Sequence, residues 1–199
     1  MSDYVSVIGG INLDIKGVPA GPLISGTSNP GWVYSSAGGV GRNIAHNLAL
    51  LDVPVRLFGV VGNDSSGTQI VNELTRTGVN TEALRVLDNQ PTGIYLSILD
   101  ETHDLAAAIS AMDITEYVDN AYLTSYQSLI KQSCLVVVET NLKTDVLRYV
   151  LALCHESHIP CVVEPVSIEK AKKLVGYDPQ FDIQTGLKEA VIWYWQNLK

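Results

Sequence analysis

The residues best suited to bind a small polar molecule are a glycine cluster and two polar side chains near the start of the chain. Gly38, Gly39 and Gly41 precede the helix-like segment IAHNLALL. A turn without Cβ atoms lets backbone N–H groups approach a hydroxyl-rich or anionic ligand, which the helix dipole also favours. Asn12 and Asp14 follow the first apolar run and can bind vicinal hydroxyls as donor and acceptor. An ordinary Gly-rich turn and an Asx turn are the structural alternatives.

Other common sites are not indicated. The glycine cluster lacks the GKS or GKT of a Walker loop, and GGINLD after the first apolar run is not a dinucleotide-binding GxGxxG. His155 and His158 have no carboxylate or cysteine pattern to complete a metal site. Three cysteines without a CxxC pair predict reduced thiols and no bound metal.

The elements that position these residues alternate between strand-like and helix-like segments. Apolar β-rich runs predict buried strands at 4–8, 55–62, 135–139 and 159–164. Helical periodicity, the N-cap candidate Asp64 and the C′ candidate Gly78 predict helices between them. This order predicts an α/β fold with a mainly parallel sheet and helices on both faces.

Two further segments predict a small β-rich outgrowth beside this sheet. Residues 94–99 and 105–109 are strand-like and are separated by a polar turn, which predicts a hairpin. Residues 16–34 are rich in Gly, Pro, Ser and Asn and predict loops and short edge strands.

The composition restricts the class of partner. The chain has 199 residues, 46% of them hydrophobic, and a net charge of −8. It is long enough for one domain with a buried core, and its acidity disfavours nucleic acid and anionic membranes as partners. No apolar run approaches the ~20 residues of a membrane span, and MSDYVSVIGG lacks the basic segment of a signal peptide. A cytoplasmic protein acting on a small molecule is expected.

Residues 1–166 resemble the N-terminal part of the ribokinase-like (PfkB) carbohydrate kinases. The resemblance is carried by VIGGINLDI, AGGVGRNIAHNLALL, VGNDSSGTQIVNELTRTGVNT and TGIYLSILDETHDLAAAI. SNPGWVYSSAGGVGRNIAHNLALL and AISAMDI are most similar to the pseudouridine kinase branch of that family.

The resemblance implies one sugar or nucleoside pocket. It assigns substrate contacts to Asn12, Asp14, Gly38, Gly39, Asn43, Met112 and Asn141. Glu139 is a weaker candidate, with a buried strand-end carboxylate near a helix terminus as the alternative. Residues 12–36, which include Trp32, and 94–109 would form a lid over the sugar, and the lid would pair two subunits in a homodimer.

The family transfers the γ-phosphoryl group of ATP to a sugar hydroxyl with Mg²⁺, using an Asp base in a GAGD segment. No Gly-Ala-Gly-Asp occurs in this sequence. We therefore assign no catalytic or metal-binding residue, and we expect most of the ATP and Mg²⁺ site to be missing from the chain. A substrate-binding part of a kinase and an inactive sugar-binding or interaction module both fit.

Residues 167–199 resemble a different family, the C-terminal tail of extended short-chain dehydrogenases and nucleotide-sugar epimerases. The similar segments are KAKKLVGYDPQ and GLKEAVIWYW. The resemblance implies a helical tail of foreign origin, joined near residues 165–168, and an epimerase relative as a third hypothesis. The Tyr-x-x-x-Lys pair and glycine-rich loop of those enzymes are absent. A generic amphipathic helix is the alternative.

Overall fold

The computed structural model describes residues 4–166, 168–176, 178 and 183–197. The strands in these ranges are β1 (Val5–Ile8), β2 (Asn12–Pro19), β3 (Gly31–Gly38), β4 (Val55–Phe58), β5 (Val60–Gly62), β6 (Arg85–Leu87), β7 (Gly93–Leu99), β8 (Leu105–Ala111), β9 (Leu135–Glu139) and β10 (Cys161–Glu164). The helices are α1 (Val40–Leu50), α2 (Ser65–Arg76), a 3-10 helix (Asp113–Tyr117), α3 (Asn120–Ser125), α4 (Gln127–Gln132), α5 (Thr144–Glu156), α6 (Ile168–Val175) and α7 (Ile183–Asn197).

The central sheet is parallel throughout, with the strand order β10-β9-β1-β4. Alternate residues of its strands face opposite sides, as extended backbone requires. Ile8, Val136 and Val138 pack against buried side chains of α3, α4 and α5. Val7 and Val137 pack on the other face against α1 and α2. The predicted parallel sheet with helices on both faces is confirmed.

A second sheet, the lid, has the order β3-β2-β7-β8. The predicted hairpin is confirmed, because β7 and β8 pair antiparallel. The prediction of loops and short edge strands for 16–34 is confirmed for the loop over 20–30 and for β3, an edge strand of the lid, whereas β2 is an inner strand. There β2 and β3 are strands of eight residues each that pair from Asn12–Gly38 to Pro19–Gly31. The turn-forming residues are concentrated in the connection between them, and β7 pairs with the other side of β2.

The predicted single strand over 55–62 is divided at Gly59. Its first half, β4, belongs to the central sheet, and its second half, β5, pairs with β6 in a separate two-stranded sheet. At the division the Gly59 N–H donates to the buried Tyr122 hydroxyl (3.0 Å), which donates to the Ala83 carbonyl (2.5 Å). A side chain from α3 therefore replaces a strand neighbour at this point.

The two ends of α2 each confirm a sequence prediction. Asp64 is the N-cap and accepts a hydrogen bond from the Gly67 N–H (2.8 Å), and Gly78 follows the helix with φ +93°. At the other end of the chain α6 and α7 are helical, and Ser167, the residue directly before α6, lies outside the described residues. Among the described helices, none combines the length and apolar character needed to cross a membrane.

Candidate functional site

The site begins where the turn between β1 and β2 crosses the first turn of α1. Gly39 has φ +97°, a conformation that favours glycine, and its carbonyl accepts from the Asn43 N–H (2.8 Å). A Cβ on Gly41 would lie 2.6 Å from the Gly9 Cα, so α1 approaches the turn at backbone distance. The Arg42 N–H donates to the Gly10 carbonyl (3.1 Å) and joins the two segments. The glycines therefore accommodate neighbouring backbone as well as forming part of a cavity wall.

A cavity of about 470 Å³ lies between this crossing and the lid. Six of the seven residues predicted to bind substrate line it: Asn12, Asp14, Gly39, Asn43, Met112 and Asn141. Gly38, the seventh, is buried directly against Asp14, whose Oδ2 would lie 2.3 Å from a Cβ at this position. Gly38 thus makes room for the carboxylate and does not line the cavity itself.

The first two residues of the site form a fixed polar pair. Asn12 is 5% exposed, and its Nδ2 donates to the Asp14 Oδ1 (2.6 Å). This bond orients the amide, so that the Asn12 Oδ1 and the second Asp14 oxygen remain as acceptors. Both residues stand on β2 at alternate positions, which places their side chains on one face of the lid. The pair can therefore accept hydrogen bonds from neighbouring hydroxyls.

Glu139 is the buried charge of the site and lines the cavity at the end of β9. Only 1% of it is exposed, and it accepts from the backbone N–H groups of Gly10 (3.0 Å) and Asn141 (2.7 Å). Burial raises the pKa of this carboxyl, while the two hydrogen bonds and the charge of Lys170 oppose the rise. The side chain caps backbone groups of the turn after β1 and of the segment after β9. Both of these N–H groups lie outside the described helices, whereas the structural alternative considered from sequence placed the carboxylate at a helix terminus.

Lys170 brings α6 to the same segment. Its ammonium donates to the Leu142 carbonyl (2.8 Å) and to the Asn141 carbonyl (3.4 Å). This contact joins α6 to the chain directly after Glu139.

Five lining residues were not predicted: Gly10, Val40, Tyr95, Ser110 and Thr115. Tyr95 lies opposite Asp14 on β2 and opposite Ser110 on β8. Side chains of a strand alternate between its two faces. With the strand register known, this alternation would have placed Tyr95 and Ser110 on the same face as Asp14.

Trp32 belongs to the lid, on β3, but it does not line this cavity. It lines a separate apolar groove of about 390 Å³ together with Ile15, Val33, Leu96 and Ile98. Val33 is 75% exposed. The lid therefore has a polar face over the site and an apolar face turned away from it.

The cavity walls do not by themselves fit ATP and Mg²⁺. Among the residues that the structure describes, no lysine or arginine lines the cavity to neutralise phosphate charge. Within residues 4–166, 168–176, 178 and 183–197, no three His, Cys, Asp or Glu side chains are grouped to hold a metal ion. What the site offers is a set of acceptors and amides suited to hydroxyl groups.

Comparison with known proteins agrees with this architecture. The model of the pfkB family carbohydrate kinases matches residues 2–183, which extends beyond the predicted core end at 166 and includes α6. Pseudouridine kinase of Escherichia coli is 34% identical over 172 residues, covering 86% of this chain. A carbohydrate kinase from Agrobacterium tumefaciens is 27% identical with a TM-score of 0.79, covering 87% of this chain and 57% of that one.

Arabidopsis thaliana ribokinase, solved with ribose and ATP, shares the fold with a TM-score of 0.74 at 19% identity, covering 96% of this chain and 68% of that one. The chain spans 54% of the length of the E. coli relative, about half. The resemblance of the tail to epimerases stays a prediction. A family match over residues 2–183 and a shared α/β architecture agree, and the chain belongs to the pfkB family of carbohydrate kinases.

Proposed function

We propose that this chain is the substrate-binding part of an ATP-dependent kinase for a ribosyl compound, with pseudouridine as the preferred substrate. The observation that carries the proposal is the single cavity that gathers Asn12, Asp14, Asn43, Met112 and Asn141 under the lid. The choice of substrate is supported by the E. coli pseudouridine kinase, which is 34% identical to this chain over 172 residues.

The chemistry of the cavity fits a sugar ring. A pair of vicinal hydroxyls donates two protons and also accepts hydrogen bonds, so it needs acceptors and donors at close spacing. Asp14 and the free oxygen of Asn12 supply acceptors, and the Asn43 amide supplies a donor. Met112 adds an apolar wall suited to the face of a base or sugar.

We propose that phosphoryl transfer needs groups that these residues do not supply. ATP and Mg²⁺ are the co-substrate and metal that the family implies, and the cavity walls do not fit them. The 199-residue chain is expected to bind a ribosyl compound without phosphorylating it. An inactive sugar-binding module, the alternative function, would behave in the same way. A coupled ADP-release assay with pseudouridine should give no signal, and sustained turnover would contradict this part of the proposal.

Calorimetric titration of the full chain with pseudouridine, uridine and ribose tests the binding function. Asp14→Asn should weaken binding about tenfold or more, because a hydrogen bond to a charged group contributes about 1.5–3 kcal/mol. Asp52→Asn is the matched control, since Asp52 is exposed and lies outside the cavity. Absence of binding to all three compounds at millimolar concentration would overturn the proposed function.

We also propose that two copies pair through the apolar face of the lid and that the protein is cytoplasmic. Val33, Ile98 and Ile109 are exposed on that face, at 75%, 39% and 64%. An apolar patch of this kind favours a protein contact. Light scattering should give the mass of a dimer, and Val33→Lys should give a monomer. A monomeric mass for the unaltered chain would contradict the pairing.

The free thiols of Cys134, Cys154 and Cys161 support a reducing compartment, as expected for a cytoplasmic protein.

A further inference from the structure

Arg42 is a buried charge beside the site with a contact that the proposed binding residues do not explain. It is the third residue of α1 and only 6% exposed. Its Nη2 forms an ion pair with Glu73 of α2, and its Nη1 donates to the Asn43 Oδ1 (3.1 Å). Its Nε makes no hydrogen bond among the described residues. A buried guanidinium is costly unless it is paired, and Glu73 supplies the charged partner that keeps Arg42 buried beside Asn43.

The contact with Asn43 decides which end of the Asn43 amide faces the guanidinium. A guanidinium has donors and no acceptor, so only the amide oxygen can meet it. The Asn43 Nδ2 is then the end left without this partner. Asn43 lines the cavity, and without Arg42 its amide could turn by half a rotation and present oxygen instead.

The two asparagines of the site are held in opposite senses. The Nδ2 of Asn12 is occupied by Asp14, which leaves an oxygen, whereas the Oδ1 of Asn43 is occupied by Arg42, which leaves an N–H₂ group. A sugar hydroxyl needs an acceptor for its proton and a donor for its lone pair. With Asn12 fixed as the acceptor and Asn43 fixed as the donor, the site offers both groups without an energetic cost of turning either amide on binding.

We propose that Arg42 is a positioning residue that fixes Asn43 as a hydrogen-bond donor to a ligand hydroxyl. This inference rests on the proposed function for the identity of the ligand. Arg42 itself does not line the cavity and acts through Asn43.

A double-mutant cycle on the full chain separates this role from a purely structural one. Affinities for pseudouridine are measured for Arg42→Met, Asn43→Ala and the double variant. We expect Arg42→Met to weaken binding about five- to tenfold, in line with one lost neutral hydrogen bond of about 1 kcal/mol. The double variant should bind no more weakly than Asn43→Ala alone. Multiplying effects of the two substitutions would overturn the proposal.

Glu73→Gln is the matched control. It removes the charge pair between α1 and α2 but keeps an acceptor for Arg42, and Glu73 lies outside the cavity. Affinity should stay within about twofold of the unaltered chain while stability falls, because the buried Arg42 loses its charged partner. A loss of affinity equal to that of Arg42→Met would show that Arg42 acts through helix packing, which contradicts the proposal.

A ligand-free measurement distinguishes failure of this inference from failure of the proposed function. The heteronuclear NOE of the Asn43 side-chain N–H₂ group reports its fast motion. It should be high in the unaltered chain and in Glu73→Gln, and low in Arg42→Lys, whose single ammonium cannot replace the guanidinium fork. An unchanged NOE in Arg42→Lys would overturn the positioning role even if pseudouridine binds. Absence of binding to the unaltered chain together with the expected NOE change would overturn only the choice of ligand.

Discussion

Replacing Gly41 with alanine tests whether the close crossing of α1 over the turn after β1 shapes the site. Gly41 is buried in the first turn of α1, and a Cβ there would lie 2.6 Å from the Gly9 Cα and 2.7 Å from the Gly9 carbonyl carbon. Both atoms belong to backbone, so no side chain can rotate to relieve the contact. The helix or the turn must move by several tenths of an ångström.

Two opposing effects set the magnitude for Gly41→Ala. Alanine is better than glycine in a helix by about 0.8–1.0 kcal/mol, so helix propensity alone predicts a more stable protein. Overpacking a filled interior costs about 1–3 kcal/mol, and a contact well inside van der Waals distance with backbone belongs to the upper part of that range. We expect the free energy of unfolding to fall by about 1–2 kcal/mol as the difference between these effects. Ligand affinity should fall with it, because Gly10 and Asn12 follow Gly9.

Urea unfolding followed by circular dichroism measures this change, with two glycine controls. Gly21→Ala meets nothing within 4 Å and should change stability by less than about 0.5 kcal/mol. Gly78→Ala also has open space but φ +93°, so it should cost about 1–2 kcal/mol from backbone strain alone. A Gly41→Ala variant as stable as the unaltered chain, or more stable, would refute the argument from backbone contact.

Two further predictions concern the frame around the site. Tyr122→Phe removes the hydroxyl that satisfies two buried backbone groups and should lower the free energy of unfolding by about 1–3 kcal/mol, whereas Tyr117→Phe, with an exposed hydroxyl, should have little effect. Equal stability of the two variants in urea would contradict this. Burial disfavours ionisation of Asp64, but hydrogen bonds from Gly67 and Thr92 outweigh it and lower its pKa below the ordinary 3.8. Its stabilising contribution should therefore be complete above pH 3.8 and lost as the pH falls through the lowered pKa. Asp64→Asn should destabilise the protein at pH 7 by about 1–3 kcal/mol, with a smaller difference in acid. A difference that is independent of pH would exclude the carboxylate as its cause.

The parts of the fold that could be predicted are those whose signal is local. Strands β1 and β9 are short apolar runs because helices cover both of their faces. The cap Asp64 and the glycine after α2 are set by hydrogen bonding within a few residues. The full length of β2 and β3, eight residues each, was not predicted, because half of the segment 16–34 is a turn-rich connection and pairing with β7 stabilises β2 from a distance. The division at Gly59 was missed because an apolar run does not state which sheet each of its residues joins.

The residues of the site also divide into those with a local sequence signal and those placed by distant contacts. Asn12, Asp14 and Asn43 were named because they belong to continuous motifs next to strand ends and glycines. Tyr95 and Ser110 were missed because the face of a lid strand depends on its register with its neighbours. Glu139 was named without its contacts, which lie on a segment far away in the chain.

The sequence by itself determined the class of protein: an acidic α/β chain with a glycine cluster, two polar residues after the first strand and no GAGD segment. These are properties of residue type and short spacing, and folding does not alter them. Only the tertiary structure decided that Gly41 meets Gly9, that Arg42 meets Glu73, and that the Glu139 carboxylate meets the Gly10 N–H across 129 positions of sequence. The last of these contacts arises because β9 and β1 are neighbours in the parallel sheet, and the order of parallel strands is set by packing of the whole chain.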